Sequence, residues 1–559
     1  MINFITDIMI NTLKKTASII ALVVMSITTM YAQEDPVVLK AMKDELKRNM
    51  EELKLEGFER PFFISYTIND AREVAVNASL GAIMRSSEFP GRTKNVRVMV
   101  GDYAFNDESL DLNGGNGEQG NEINMPIDDD YFGIRRSLWA TTDAIYRSAT
   151  KTFKDNVNFL KEQKKELKDI PHRSFAKAPV IKRNGSGQLS PCDRKKLEDL
   201  CRELSIIFKN YGDITNSNVI VHVNHTNYYF VNSEGTVIAT SDNIASITIN
   251  AQTKTAEGEF IFDHITHTAL STDKLPPLST LRDETKQLAE RLTSLRSIPV
   301  FKESYTGPVL FIGPAAVDVF STSLFSLGEN LTASKNITNS FSTTDAKIGK
   351  KILDDRFTVK STPKLKTFND IELLGSYEVD DEGVIPADEL ILIEGGILKN
   401  LLTDRTITKE GQTSNGHGSG PGVIAVTSNG GVPVDKLKAQ LIEKAKEEGL
   451  EYAIIVRHFS AGGVRSMNTY KVSLTDGKEE LVRSATVRSV NMKALKKVMG
   501  VSNAQIARNT EAGRFGGSIS MIAPDALLLE EVEVEGSRSN PFLDREVYVE
   551  NPVKGTKKE

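Results

Sequence analysis

The sequence predicts an α+β fold divided between two large domains, and three observations lead there. The chain has 559 residues, more than one hydrophobic core ordinarily serves, so two domains are the default expectation. Its composition is that of a globular protein, with 39% hydrophobic and 26% charged residues. Its apolar pattern also switches repeatedly between the two-residue period of strands and the 3.6-residue period of helices.

The first 32 residues read as a signal peptide. Lys14 and Lys15 precede an apolar run at 19–25, and Tyr31-Ala32-Gln33 offers a small residue for cleavage. A retained membrane anchor is the rival reading, but the run is shorter than the roughly 20 residues a spanning helix needs. No later run is long enough either, so the mature protein is expected to be exported, periplasmic or extracellular, with no membrane association after cleavage.

Residues 36–55 place Val38, Met42, Leu46, Met50 and Leu53 at helical spacing, with Gly57 just beyond. From 62 to 105 the pattern alternates, as in Phe62-Phe63-Ile64-Ser65-Tyr66, and predicts antiparallel strands. Residues 106–130 are polar and glycine-rich and read as a mobile surface loop, without the strand-then-helix context of a phosphate loop. A long helix is expected over 131–166, with Leu138, Trp139, Ile145, Phe153, Val157 and Leu160 on its apolar side. After a linker at 177–189, Ser190 and Pro191 have the form of a helix start. Cys192 and Cys201 on that helix would stand roughly 13 Å apart along its axis, too far for a disulfide, so both are expected to be unpaired. Strands follow at 219–225, 228–231 and 244–250, with a tight turn at 233–235 and a helix at 281–295. Ser297-Ile298-Pro299 is the expected boundary, giving an N-terminal domain at 33–297, a sheet-rich C-terminal domain at 298–535 and a charged tail at 536–559.

A net charge of −6 and a pI near 5.9 argue against nucleic acid as a partner, which would require a basic face. The histidine pairs His222/His225 and His264/His267 invite a metal reading, but both lie in strand-like surroundings, where residues three apart point to opposite faces. Gly516-Gly517-Ser518 does not supply a nucleophile elbow. Asp380-Asp381-Glu382-Gly383 lacks the ligand spacing of a calcium loop and reads as a turn, with Gly383 supplying the unusual backbone angle.

That acidic turn belongs to an ordered set of motifs. It is followed by strand-like runs at 389–394 and 398–402 and by Ser414-Asn415-Gly416-His417-Gly418; far upstream lies Leu138-Trp139-Ala140-Thr141-Thr142-Asp143. In this order the chain resembles the TldD/PmbA family over most of its mature length. The resemblance implies a two-domain peptidase fold with mixed and antiparallel sheets and packed helices. It also implies assemblies in which one member carries zinc and a related member does not. Zinc-bearing members carry a His-Glu-x-x-x-His helix, because the metal needs fixed imidazoles beside a carboxylate that activates water.

None of the seven histidines of this chain precedes an acidic residue, so it contains no His-Glu pair. Residues 307–310 read as the strand entering the corresponding helix, 315–327, whose stripe of Val317, Phe320, Leu324 and Leu327 ends at Gly328. Ser321, Thr322 and Ser326 then fall where the resemblance puts His, Glu and His, and Ala512 falls where it puts a third ligand, a cysteine. Hydroxyls are weak ligands for zinc. The expectation is therefore an exported, metal-free member, leaning non-catalytic, that acts as the peptide-binding or structural partner of an active zinc peptidase. It would be a homodimer or a heterodimer with a zinc-bearing TldD-like protein and have a peptide as substrate. Asp380, Asp381, Glu382, Asn415 and His417 would line the cleft. The alternatives are an active metallopeptidase with ligands outside the usual motif, with His417 as a proton carrier if a carboxylate lies nearby, or a binding protein that keeps only the fold.

Overall fold

The computed structural model describes residues 35–555 apart from 111, 113–123, 186–191, 256–259, 326–330, 336, 338–346, 410, 459–467, 489, 511–518 and 537–550. The expected signal peptide, Ser190, Pro191, Ser326, Ala512, about half of the glycine-rich loop and most of the tail lie outside the described residues.

Helix α1 (Val37–Glu52) leads into a long hairpin, β1 (Pro61–Ser79) and β2 (Ala82–Val100). Its two-residue turn places Leu80 at φ 48° and Gly81 at φ 79°, the left-handed pair that matches the twist of adjoining strands. Helix α2 (Tyr131–Gln163) begins at Asp130, whose carboxylate accepts from Gly133 N. Trp139 is 47% exposed, outside the apolar stripe expected for it, because it stands one residue and about 100° round the helix from buried Leu138. Two short strands, β3 (Ser174–Phe175) and β4 (Lys182–Asn184), precede helix α3 (Arg194–Ser205). Its cap is Asp193, which accepts from Lys195 N and Lys196 N, so the helix starts later than the expected Ser190. Cys192 precedes it and Cys201 is buried within it, and both thiols are free.

The strands expected as separate pieces are continuous: β5 (Ile214–Asn232) and β6 (Val237–Lys254) are joined by a turn in which Gly235 has φ 104°. With β7 (Phe260–Ala269) they complete a six-stranded sheet, and α4 (Leu278–Leu295) closes the region. The register of β1 against β5 is unbroken from Ser65 to Ala78, so side chains alternate faces along its length. Ile64, Tyr66 and Ile68 pack under α1 and α2, while Val74, Val76 and Ala78 pack under α3 and α4. One face of a single long sheet thus serves two helical layers. The opposite face at its start, Phe63, Ser65, Thr67 and Asn69, is left for the rest of the chain.

The second region is a pair of sheets around a buried helix. Strand β8 (Ser304–Ile312) pairs antiparallel with Ala526–Gly536 and parallel with Tyr452–His458 in a seven-stranded sheet. A six-stranded sheet contains Phe357–Ser361, Leu390–Glu394, Val423–Ser428 and Ile519–Pro524. Helix α5 (Pro314–Phe325) lies in their common core, with Ala315, Ala316, Val317, Val319, Phe320 and Leu324 all at 0% exposure. A helix apolar on nearly every side is stable only when buried on every side. Helix α6 (Val434–Glu447) covers the outer face of the seven-stranded sheet, packing Leu437 and Leu441 on Leu310, Ile455 and Leu528.

The two regions are tied by backbone as well as side chains. β3 pairs antiparallel with Thr406–Ile407, and Asn551 of the tail donates to the carbonyls of Gly212 and Ile214. That part of the charged tail is docked.

Candidate functional site

A cavity of about 690 Å³ lies where the open face of the first sheet meets the second region. Its floor is built from alternate residues of β1, namely Ser65, Thr67 and Asn69, beside Arg97 of β2 and Tyr228 and Phe230 of β5. Strand periodicity explains this grouping, since Thr67 pairs with Asn95 on one side and Phe230 on the other. The far wall carries Asp381, Glu382, Arg405 and Lys335.

The charged residues form a network between the two regions. Arg97 donates to Glu108 through Nε at 2.9 Å and Nη2 at 2.5 Å, and to Glu382 through Nη1 at 3.0 Å. The other oxygen of Glu382 accepts from Arg405 N at 2.6 Å. The Arg405 guanidinium donates to Ala176 O at 2.8 Å and Glu234 Oε1 at 2.7 Å. It also lies over the Phe175 ring, 4.1 Å from the centroid. Burial pushes Glu382 up to about 7 against the pull of Arg97, and burial with the nearby Asp404 also raises Asp381.

The acidic turn is a turn, as expected, with Gly383 at φ 80°, but its residues divide by role. Asp381 and Glu382 face the cavity. Asp380 is 1% exposed and holds the loop together, one oxygen accepting from Val384 N and Glu382 N and the other from Gly418 N. Desolvation raises its carboxyl to about 6 even with these donors.

Asn415 and His417 stand behind the cavity wall. Asn415 accepts from Thr403 N and donates to Leu401 O. Gly416, at φ 80°, brings the backbone so close to Pro386 that a side chain there would sit 2.7 Å from it. His417 is 4% exposed. Its Nδ1 faces Asn415 O and Oδ1, both acceptors, so Nδ1 carries the proton and Nε2 accepts from Ser361 Oγ at 2.8 Å. Ser361, His417 and Asn415 thus form a serine–histidine–asparagine chain, but Ser361 is 0% exposed and no substrate can reach it. Burial lowers His417 to about 4, and among the described residues no carboxylate bonds to its ring. The condition set for a proton carrier is not met at this residue.

The other histidine pairs are placed by strands. His222 on β5 is exposed beside Glu73 while His225 is buried against Asn243. On β7, His267 bonds Glu284 at 2.7 Å and His264 points to the other face. Among the described residues no three His, Cys, Asp or Glu side chains gather as metal ligands. On α5, Ser321 and Thr322 are half-buried, and their hydroxyls are a poor donor set for the zinc the resemblance implies. One turn earlier, Asp318 is buried against Arg508 Nη1 at 2.8 Å and is raised to about 6 by desolvation.

Arg97, Arg405, Glu234 and Lys335 were not singled out by the sequence. Their pairings join residues far apart in the chain, and no local motif marks them.

A family model described as the PmbA/TldA metallopeptidase C-terminal domain matches residues 305–536. No curated protein matches the chain by sequence. Among solved structures, a protein from Thermotoga maritima described as a modulator of DNA gyrase shares the fold with a TM-score of 0.58 at 15% identity, over 89% of this chain and 99% of that one. TldE from Thermococcus kodakarensis gives 0.53 at 16% identity, over 89% and 100%. A Bacteroides thetaiotaomicron protein, again described as a modulator of DNA gyrase, gives 0.56 at 15% identity, over 91% and 100%. Residues 305–536 thus match the C-terminal domain of the PmbA/TldA metallopeptidases, and the chain shares its fold with these three proteins over about nine-tenths of its length.

Proposed function

We propose that the protein is an exported TldD/PmbA member that has lost its zinc ligands and serves as the non-catalytic, peptide-binding or structural partner of a zinc-bearing relative. The observation that carries this reading is the chemistry of α5. The helix is kept as a core element between two sheets, yet the chain supplies no His-Glu pair anywhere, and the resemblance puts Ser321 and Thr322 where a zinc-bearing member has its first histidine and its glutamate. The basic and apolar leader supports export. The cavity, with its row of hydroxyl and amide groups on one sheet face, supports a role in holding peptide.

The test is the zinc content of the mature chain, from Gln33 onward, after exposure to zinc and removal of the loosely held fraction. Less than about 0.1 metal per chain is expected, given that hydroxyls compete poorly with imidazole and thiolate for zinc. A value near one would overturn the loss of the site. The partner role predicts that the chain, purified from its native source, brings down a family member bearing an intact His-Glu-x-x-x-His helix. Recovery of the chain as a self-contained homo-oligomer would sink that part alone.

A further inference from the structure

We propose that the cavity between the domains binds an organic cation, an ammonium or guanidinium group carried by a peptide, with the Asp381 carboxylate as its anchor. This deepens the peptide-binding reading and rests on it only for the identity of the carrier. The sign of the ligand follows from which charged group of the cavity lacks a counter-charge. Its cations are already engaged: Arg97 by Glu108 and Glu382, Arg405 by Glu234, Lys335 by Asp404, and Arg173 by the carbonyls of Lys335 and Glu108. The lining carboxylates, Asp107, Glu108, Asp381 and Glu382, equal the cations in number, but Asp107 accepts from Val100 N, Glu108 pairs with Arg97, and Glu382 with Arg97 and Arg405 N, which leaves Asp381.

Asp381 is the carboxylate placed to act. It is solvent-accessible while lining the cavity. Its backbone is fixed at both ends, with N donating to Ser419 Oγ at 2.8 Å and O accepting from Tyr228 Oη at 2.9 Å. Its carboxylate has no ion-pair or hydrogen-bond partner on another described residue. A rigid mounting with an unengaged charge costs little reorganisation on binding. Desolvation inside the cavity is the first cause that raises Asp381 and Glu382 and pushes Tyr228 well above its ordinary range, with neighbouring carboxylates adding to it. A positive ligand would give the Asp381 carboxylate the partner it lacks. A bare metal ion is a poor candidate, because the described residues gather no three ligands. An ammonium or guanidinium needs only one carboxylate and neutral acceptors, and Thr67, Asn69 and the ring of Tyr228 stand beside it.

Calorimetric titration of the mature chain at pH 7, where an N-terminal amine is mostly protonated, tests this with four probes. Acetyl-Gly-Lys-Gly-amide carries only a side-chain cation, Gly-Gly-Gly-amide only an N-terminal ammonium, acetyl-Gly-Gly-Gly-amide no charge, and n-butylammonium no peptide. At least one charged peptide is expected to bind tenfold or more tightly than the neutral one. Which of the two does so identifies the source of the cation. The advantage should vanish in Asp381→Asn and persist in Asp381→Glu, with both variants showing unaltered thermal unfolding. Equal binding of neutral and charged peptides would overturn the cation site while leaving peptide binding intact. Binding of n-butylammonium that depends on Asp381, without any gain from peptide, would uphold the cation site and remove peptide as its carrier. No binding of any probe, or an advantage unchanged in Asp381→Asn, would overturn the proposal.

Discussion

Replacing Arg405 with alanine is expected to destabilise the protein by about 3–5 kcal/mol, the range for breaking one side of a buried ion pair. The side chain is 1% exposed and belongs to the second region, but every group it touches belongs to the first. Nε reaches Ala176 O and Nη2 reaches Glu234, while Nη1 finds no acceptor and the guanidinium is covered by the rings of Phe63 and Phe175. Truncation removes these contacts together and leaves a cavity under the rings. Among the described residues it also leaves Glu234 with only Tyr103 Oη and Asn232 Nδ2 as side-chain donors. Arg405→Lys should recover less than half of the loss, since an ammonium cannot bond two acceptors in a plane while stacking on Phe175. Urea unfolding of the mature chain measures both. A loss below about 1 kcal/mol for Arg405→Ala would show that the two regions are held by the β3 pairing and the remaining contacts instead.

The contrast between Arg405 and α5 shows what the sequence made legible. Helix α5 could be read because its evidence is local: an apolar strand, a short break, then apolar residues at helical spacing. The acidic turn could be read for the same reason, since Gly383 needs a positive φ and its neighbours are polar. Long strands were read in fragments, because Thr226 and Asn227 interrupt the apolar pattern of β5 where the sheet passes from one helical layer to the other. The cap of α3 was misplaced because Ser190-Pro191 and Asp193 are both good helix starts, and only the hydrogen bonds to Asp193 decide between them. The cavity itself was half visible. Asp381 and Glu382 came from the motif, but Arg97 is 285 residues from Glu382, and a pairing at that separation leaves no periodicity to detect.

Position within a motif also proved a poor guide to orientation. Asp380, Asp381 and Glu382 are consecutive, yet the first faces inward to clamp the loop and the next two face the cavity. In a turn, unlike a strand or helix, no fixed period assigns side chains to faces, so direction is settled only by which backbone donors each carboxylate meets. The same holds for Asn415 and His417. Their loop is held by the hydroxyl of Ser361 and by backbone groups at 401 and 403, partners that no spacing rule links to them.

His417 should make the stability of the protein fall as the pH drops from about 6.5 to about 4. Burial lowers its imidazole to about 4, against an ordinary value near 6.5 in the unfolded chain. Between those limits the unfolded state binds the proton and the folded state does not, so stability rises with pH through the window and is fully present above it. The shift corresponds to roughly 3 kcal/mol if fully expressed. The raised carboxyls of Asp318, Asp380 and Glu382 act with the opposite sign, because their folded forms keep protons that the unfolded chain releases above about pH 4. The net curve therefore mixes both, and the informative quantity is the difference between the wild type and His417→Gln. The variant keeps a side chain able to bond Ser361 but has nothing to titrate. At pH 7.5 it should be less stable by about 1–2 kcal/mol, the cost of an imperfectly replaced buried hydrogen-bond pair. That gap should close or reverse by pH 4.5. A gap that stays constant from pH 7.5 to 4.5 would mean that His417 takes up its proton in the folded protein as readily as in the unfolded one, and that the Ser361–His417–Asn415 chain does not hold the ring neutral.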